Sequence, residues 1–561
     1  MPAERTVLGV IHNVTSATRL LDVLAVFEGD PRVRVVFTCT GSSVFEDGIP
    51  EFVSAHGLFF LPWESALKEE FDLAVSTSRG GDLEAISAPL IGAPHGAGYN
   101  KKLSRNPESG IRNPESGIRN PESGAGVGTG AGAFGLSPEW LLHDGEVVPS
   151  AIVLSHDEQR SRLARDCPEA LPYAHVVGDP CADQLDASAP FRTEYRAALG
   201  VRPEQELLLI TSTWSEESLL GSAIECVERA LAELPYDEFR VLAAIHPNAW
   251  YGHGGFQIRQ WLERARRAGL ILPPPAGETW KAAICAADAF VGDHGSLSLY
   301  AAARGLPGLL AAFGAGTVAP GSPMDWLGGQ LPRVDPVRPL SEQLAQAVAL
   351  PGAAARVTSR PGRSLALLRA LCYRHLNLPE PAFPVLPRPV AVPEPGAVRS
   401  PLGPALYVDT RVRGREVRAR RYPAELQGSG GSAAPLGADV HVVADAAEPD
   451  PRLRGLADVL VARPDADPTA VFARNPGCAL VATGAGRLVL RSGREFEVPA
   501  GCDPAPAASA LLALLGEGLD PEGGCTLRIG GATSALRFTP PGARGAAGQA
   551  DAGLLGPDAA Q

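Results

Sequence analysis

Four polar stretches interrupt the apolar runs of this chain, and each carries residues that can bind an anion or move a proton. "PHGAGYNKK" (94–102) holds His95, Gly96 and Lys101, and "VGDP" (177–180) holds Gly178 and Asp179. "IHPN" (245–248) holds His246 and Asn248, and "GDHGSLS" (292–298) holds Asp293, Gly295, Ser296 and Ser298. The last has the plainest mechanism. A strand, a tight turn with glycine and a helix beginning near Ser296 leave free N–H groups at the positive end of a helix, which is a place for an anion. Ser296 and Ser298 can add hydroxyl donors; an ordinary helix cap is the competing use of the same residues. A strand-terminal histidine such as His246 or His95 can donate to a phosphate or act as a base, or be structural. Gly96 would let a substrate approach the backbone closely, and Lys101 adds positive charge beside it.

These stretches end strands, so the elements that hold them are read next. "TVLGVIHNV" (6–14), "VRVVFTCTG" (33–41), "LFFLPW" (58–63), "FDLAVSTS" (71–78) and "PLIGAPHG" (89–96) are predicted strands, with a short helix in "GGDLEAIS". "SAIVLSH" (150–156) and "AHVVGDP" (174–180) complete the series, after a helix at "LSPEWLL" with Ser137 at its cap. Short unbroken apolar strands separated by helices predict a parallel sheet covered on both faces, a Rossmann-like half. A second series follows: "ELLLITSTW" (206–214), the helix "SLLGSAIECVERALAEL", "FRVLAAIHPNAW" (239–250), "AFVGDHGSLSLYAAARG" (289–305) and "LPGLLAAFG". The amphipathic helix "GRSLALLRALCYRHL" (362–376) closes it.

The expected organisation is an α/β chain with two facing Rossmann-like domains, 1–185 and 186–376, whose ligands sit at the carboxyl ends of the strands. Residues 379–404 carry nine prolines, so 377–404 reads as a stiff linker. A smaller α+β domain is expected at 405–540, followed by a disordered tail at 541–561. Within the smaller domain, "RVRGREVRARRYP" (411–423) reads as an exposed edge strand guarded by arginines.

The net charge of −13 speaks against nucleic acid as a partner. The nine cysteines are scattered without a CxxC pair, as in a reducing compartment. No signal peptide and no apolar run of membrane-helix length is visible, so a cytoplasmic protein is expected. Abundant Ala, Gly, Pro and Arg point to a GC-rich genome rather than to a function. The Gly-rich run at 124–135 lacks the preceding strand that a phosphate loop requires. HExxH, Walker and GxSxG motifs are absent.

The unit "RNPESGI" at 105–111 recurs at 112–118 and, without its Ile, at 119–124. Its charges cancel and its turn residues cannot build a core, so the stretch from about 104 to 133 reads as a tandem duplication in a tolerant loop. Deletion of residues 105–125 is expected to leave the melting temperature and nucleotide binding nearly unchanged. A large loss in thermal stability would count against that reading.

As an ordered set, the four stretches resemble the CDP-glycerol glycerophosphotransferase family, the teichoic-acid polymerases and primases with a GT-B fold. The matching features are His-Gly followed by Lys in "PHGAGYNKK", the junction "VGDPCADQL", the strand end "IHPN", and "GDHGSLSLYAAARGLP", in which Asp-x-x-Ser enters a helix before a G-x-P strand. The resemblance spans about residues 5–376. It implies transfer from a CDP-activated donor to an acceptor hydroxyl in the interdomain cleft, with no cofactor and no metal. His95 would be the general base, His246 and Ser296 donors to the pyrophosphate, and Asp293 the residue that orients the turn. The family usually has Tyr-Ser where this chain has His294-Gly295, and membrane-docking helices are not evident. Peripheral membrane contact, the acceptor and the oligomeric state stay open. The alternatives are a nucleotide-sugar GT-B glycosyltransferase and a non-catalytic nucleotide-binding or scaffold protein. A UDP-N-acetylglucosamine 2-epimerase would need a basic–acidic pair and a Gly-Gly turn where "HPNAWYG" and "DHGSLSLYAA" stand.

Overall fold

The computed structural model describes residues 3–41, 47–102, 133–394, 403–427, 437, 439–499 and 501–541. The seven-residue repeat and the expected tail from residue 542 onward lie outside the described residues.

The first sheet is parallel throughout, in the order Val33–Cys39, Arg5–Ile11, Leu73–Ser76, Leu90–Gly92, Ala151–Leu154, Ala174–Val176. The second is parallel in the order Phe239–Ile245, Glu206–Ser212, Ala289–Gly292, Gly308–Leu310. The interior strands of both sheets are almost wholly buried, as expected of sheets covered on both faces, while the edge strands Val33–Cys39 and Ala174–Val176 are only partly buried. In each sheet the first strand sits between the second and the third, so each has a crevice where the winding direction reverses.

Three local expectations change. "LFFLPW" makes only one bridge, Phe60 beside Phe37, with Phe37 N–H donating to Phe59 O and Leu61 N–H to Phe37 O. It lies outside the edge strand, and Pro62, which has no N–H, stops the pairing. The expected long helix after residue 218 is two, Leu219–Ser222 and Glu225–Glu233, separated at Ala223, whose φ of −149° is not helical. Ser137 does precede the helix Pro138–Leu141, but its side chain accepts no capping bond.

The closing helix Ser364–His375 returns to the first half. Leu365, Leu368, Leu371, Cys372 and Tyr373 bury against a core that includes Val7, Leu20 and Phe27. Tyr373 also donates its hydroxyl to Asp30 at 2.7 Å. Each such buried apolar side chain stabilises the contact by about 1.5–3 kcal/mol. The described part of the Pro-rich segment is also anchored: Val390 donates its N–H to Ser188 Oγ at 2.9 Å and accepts from the Tyr195 hydroxyl at 2.7 Å.

An ionic cluster joins the halves. Lys281, on the helix Thr279–Ala286, is 1% exposed and donates to Asp22 at 2.7 Å, to Gln184 at 2.5 Å and to Glu278. Arg19, on Val14–Leu24, donates to the same Asp22 at 2.7 Å and lies over the Trp280 ring. Burial alone would raise the pKa of Asp22, but the two cations outweigh it and hold the carboxyl below its ordinary range.

The third unit is a nine-stranded mixed sheet covered by the helix Pro504–Gly516. The arginine-rich stretch is not at its edge. Glu416–Pro423 is an interior strand, between Leu406–Arg413 and Cys525–Ile529. The hairpin turns at Gly414, with φ +59°, and the chain later returns beside it. Arg421 is buried in a two-bond pair with Asp237 of the second half, at 2.7 and 2.6 Å. Among the described residues no helix is long and apolar enough to cross a membrane.

Candidate active site

The carboxyl ends of the two parallel sheets line one cleft of about 1400 Å3, its solvent mouth included. His95, Gly96 and Lys101 enter it from the first half; His246, Asp293, Gly295 and Ser296 enter from the second. The loops meet at Gly96, where a Cβ would fall 2.7 Å from Ser296 Oγ. Only glycine permits that approach without displacing the serine.

The two cleft histidines are held in opposite tautomers. His95 Nδ1 lies 3.2 Å from the Thr77 carbonyl, just beyond the strand Leu73–Ser76. A carbonyl only accepts, so Nδ1 carries a proton, and in the neutral ring the lone pair is then on Nε2. His246 is the N-cap of Pro247–His253, and its Nδ1 accepts the Asn248 N–H at 3.1 Å. Nε2 of His246 therefore carries the proton. One ring is arranged to take a proton and the other to donate a hydrogen bond.

Asp293 is fully buried and bridges the crevice of the second sheet. Its carboxylate accepts the N–H groups of Thr213, Leu219 and Gly295, each at 2.9 Å. Burial pushes its pKa up to about 6, although those three donors pull it down. The loops after Glu206–Ser212 and Ala289–Gly292 are thereby locked together, and Ser296 starts its helix at a defined place.

Four of the expected site residues lie outside this cleft lining. Ser298 is fully buried, its Oγ bonded to Thr211 Oγ1 at 2.9 Å and accepting the Asp293 N–H. Asn248 is 2% exposed and acts through its backbone on His246. Gly178 and Asp179 border a smaller cavity behind Gly96. There Asp179 caps the helix Pro180–Ser188 and accepts the Tyr300 hydroxyl at 2.8 Å. Conversely, Arg19, Arg79, Thr213 and Trp280 line the cleft without having been singled out in the sequence. Arg79 carried a readable signal, since it follows a strand end just as His95 does.

The charge of the cleft opposes that of the chain. Against a net −13, the charged side chains of the described lining are Arg19, Arg79 and Lys101 opposite the single buried Asp293. Lys101 stands 5.0 Å over the Trp214 ring. Such a lining attracts anions.

No family model matches the chain, and no curated protein matches it. Among solved structures the chain is similar to the S. aureus MnaA–UDP complex, at 12% identity and a TM-score of 0.43, over 69% of this chain and 100% of that one. It is also similar to a CDPG-soaked variant of the wall teichoic acid polymerase TagF, at 12% identity and a TM-score of 0.42, over 67% and 89%. A third is the Methanocaldococcus jannaschii UDP-GlcNAc 2-epimerase with UDP-GlcNAc and UDP, at 14% identity and a TM-score of 0.42, over 66% and 99%.

His294, between Asp293 and Gly295, holds the next loop of the cleft. Its Nδ1 accepts the Gly314 N–H at 3.1 Å and its Nε2 lies 3.3 Å from Ser215 Oγ. Burial, with Lys101 nearby, lowers its pKa to about 4, so the ring is neutral at neutral pH. Its contribution to stability is complete above the ordinary histidine value and is lost as pH falls through about 4. Asp293 acts in the opposite sense: its contribution is complete below the ordinary carboxyl value and is lost as pH rises through about 6. In His294→Gln, acidification from about pH 6.5 to about pH 4 is expected to lower the unfolding free energy by about 3 kcal/mol less than in wild type. Denaturant melts at neutral and acid pH check this; parallel pH profiles for the two proteins would contradict it.

Proposed function

We propose that the protein is a transferase that moves a glycerophosphate or related group from a CDP-activated donor to an acceptor hydroxyl. The observation that carries this reading is the pair of oppositely tautomerised histidines in one cationic cleft. The first half, residues 1–185, takes the acceptor, and the second, residues 186–376, takes the donor. The acceptor oxygen attacks the phosphorus that bears the transferred group, and the bond from that phosphorus to the bridging oxygen breaks. The hydroxyl proton passes to Nε2 of His95, and CMP leaves with the charge on its phosphate. Nε2–H of His246, the Ser296 hydroxyl and the N-terminus of the eight-residue helix Ser296–Ala303 face that developing charge. The cytidine nucleotide is favoured by the ordered set of strand-end motifs in residues 5–376.

Calorimetric titration with CDP-glycerol, CMP, UDP and UDP-sugars tests the reading. Cytidine nucleotides are expected to bind more tightly than uridine nucleotides. The reverse order would turn the reading toward a nucleotide-sugar transferase, and no binding of any nucleotide would sink the transferase reading.

A further inference from the structure

The transfer step uses none of the three cations of the described cleft lining: Arg19 donates to Asp22 and Lys101 stands over the Trp214 ring, which leaves Arg79. Arg79 lies just beyond the strand Leu73–Ser76, at the crevice where the first sheet reverses its winding between Arg5–Ile11 and Leu73–Ser76. Crevices of this kind are where open parallel sheets take their ligands. The Arg79 side chain lines the cleft but is 7% exposed. Its Nη2 donates to the Tyr99 hydroxyl at 3.2 Å, while Nε and Nη1 have no acceptor. Among the described residues no carboxylate lies within 4.0 Å of it. Tyr99 cannot supply the missing charge, because burial raises its pKa and its hydroxyl donates to the Val153 carbonyl at 3.0 Å. Gly92 makes the placement possible, since a Cβ there would fall 2.1 Å from Nη1.

A guanidinium withdrawn from water with no carboxylate beside it is unfavourable, and an anion reaching it from the cleft would offset that cost. Thr77, whose carbonyl fixes the His95 tautomer, belongs to the same short segment as Arg79. An anion at Arg79 is thus on the His95 side of the cleft, within the first half.

We infer that Arg79 anchors an anionic group on the acceptor, so that the acceptor is a hydroxyl compound that also carries a phosphate or a carboxylate. The role of the anion as part of the acceptor rests on the transferase reading; the anion subsite itself does not. A guanidinium suits both groups, because its fork can bond two oxygens of either.

Calorimetry on the full chain tests the subsite with sn-glycerol 3-phosphate, glycerate and glycerol as probes, each without donor. Wild type is expected to bind one or both of the anionic probes at least tenfold more tightly than glycerol; whichever anion binds more tightly names the group. Arg79→Met should weaken that binding at least tenfold and leave CDP-glycerol affinity within about twofold. Arg79→Lys should recover part of the loss. His246→Ala should do the reverse, weakening CDP-glycerol and sparing the anionic probe. Arg79→Met is also expected to melt at or above the wild-type temperature, because it removes an uncompensated buried charge. Equal binding of glycerol and the anionic probes, unchanged anion binding in Arg79→Met, or equal loss of probe and donor would each overturn the inference. If no form bound CDP-glycerol while Arg79→Met lost the anionic probe, the subsite would stand and the transferase reading would fall.

Discussion

Replacing His246 by alanine is expected to weaken CDP-glycerol and CMP binding by roughly 10- to 100-fold. The figure corresponds to one hydrogen bond to a charged group, about 1.5–3 kcal/mol. His246 has a second role, because its Nδ1 caps the helix Pro247–His253 through the Asn248 N–H. Loss of a cap lowers stability by about 1 kcal/mol, so alanine alone mixes two effects. His246→Asn separates them. Asparagine is a good N-cap, but it lacks a donor at the reach of Nε2. It should restore the melting temperature and leave nucleotide binding as weak as in the alanine variant. Recovery of binding along with stability would show that His246 serves the helix rather than the donor.

Replacing His95 by alanine is expected to reduce kcat by about 10²–10⁴-fold with donor affinity within about twofold of wild type. The Thr77 carbonyl holds the Nδ1 proton, which leaves Nε2 to receive the proton of the attacking hydroxyl. Single-turnover rates with donor and acceptor, set beside calorimetric donor affinity, make the comparison. Gly96→Ala is a useful companion, because its methyl group would press on Ser296. That variant should impair donor and acceptor steps together, whereas His95→Ala should impair only turnover. If His95→Ala lost donor binding as steeply as turnover, His95 would be a structural contact between the loops.

The candidate site was legible where chemistry follows from position along the chain. His95, His246, Asp293 and Ser296 all end or follow strands, and parallel sheets bring strand ends to a common edge. Ser298 shares the local sequence signal of Ser296, because the two are neighbours in sequence. On a helix, residues two apart point about 200° away from each other, so when Ser296 faces the cleft Ser298 faces the sheet and meets Thr211. Asp179 before Pro180 carries the ordinary signature of a helix cap, and the structure places it there. The arginines of 411–423 carry the local signature of a guarded edge, but Arg421 pairs with Asp237, 184 residues away.

Alternation of apolar strands with helices, by itself, determined two parallel sheets and the end of each sheet at which ligands belong. That pattern is local, because a strand buried on both faces must be apolar along its length. Only the tertiary structure decided which protons the histidines hold, because Thr77 and Asn248 set the two tautomers from different elements. Only it left Arg79 buried with no carboxylate beside it among the described residues, because that depends on which neighbours are brought in, here Gly92 and Tyr99. Strand ends can be read from hydrophobic period, whereas tautomer and charge balance belong to contacts between distant segments.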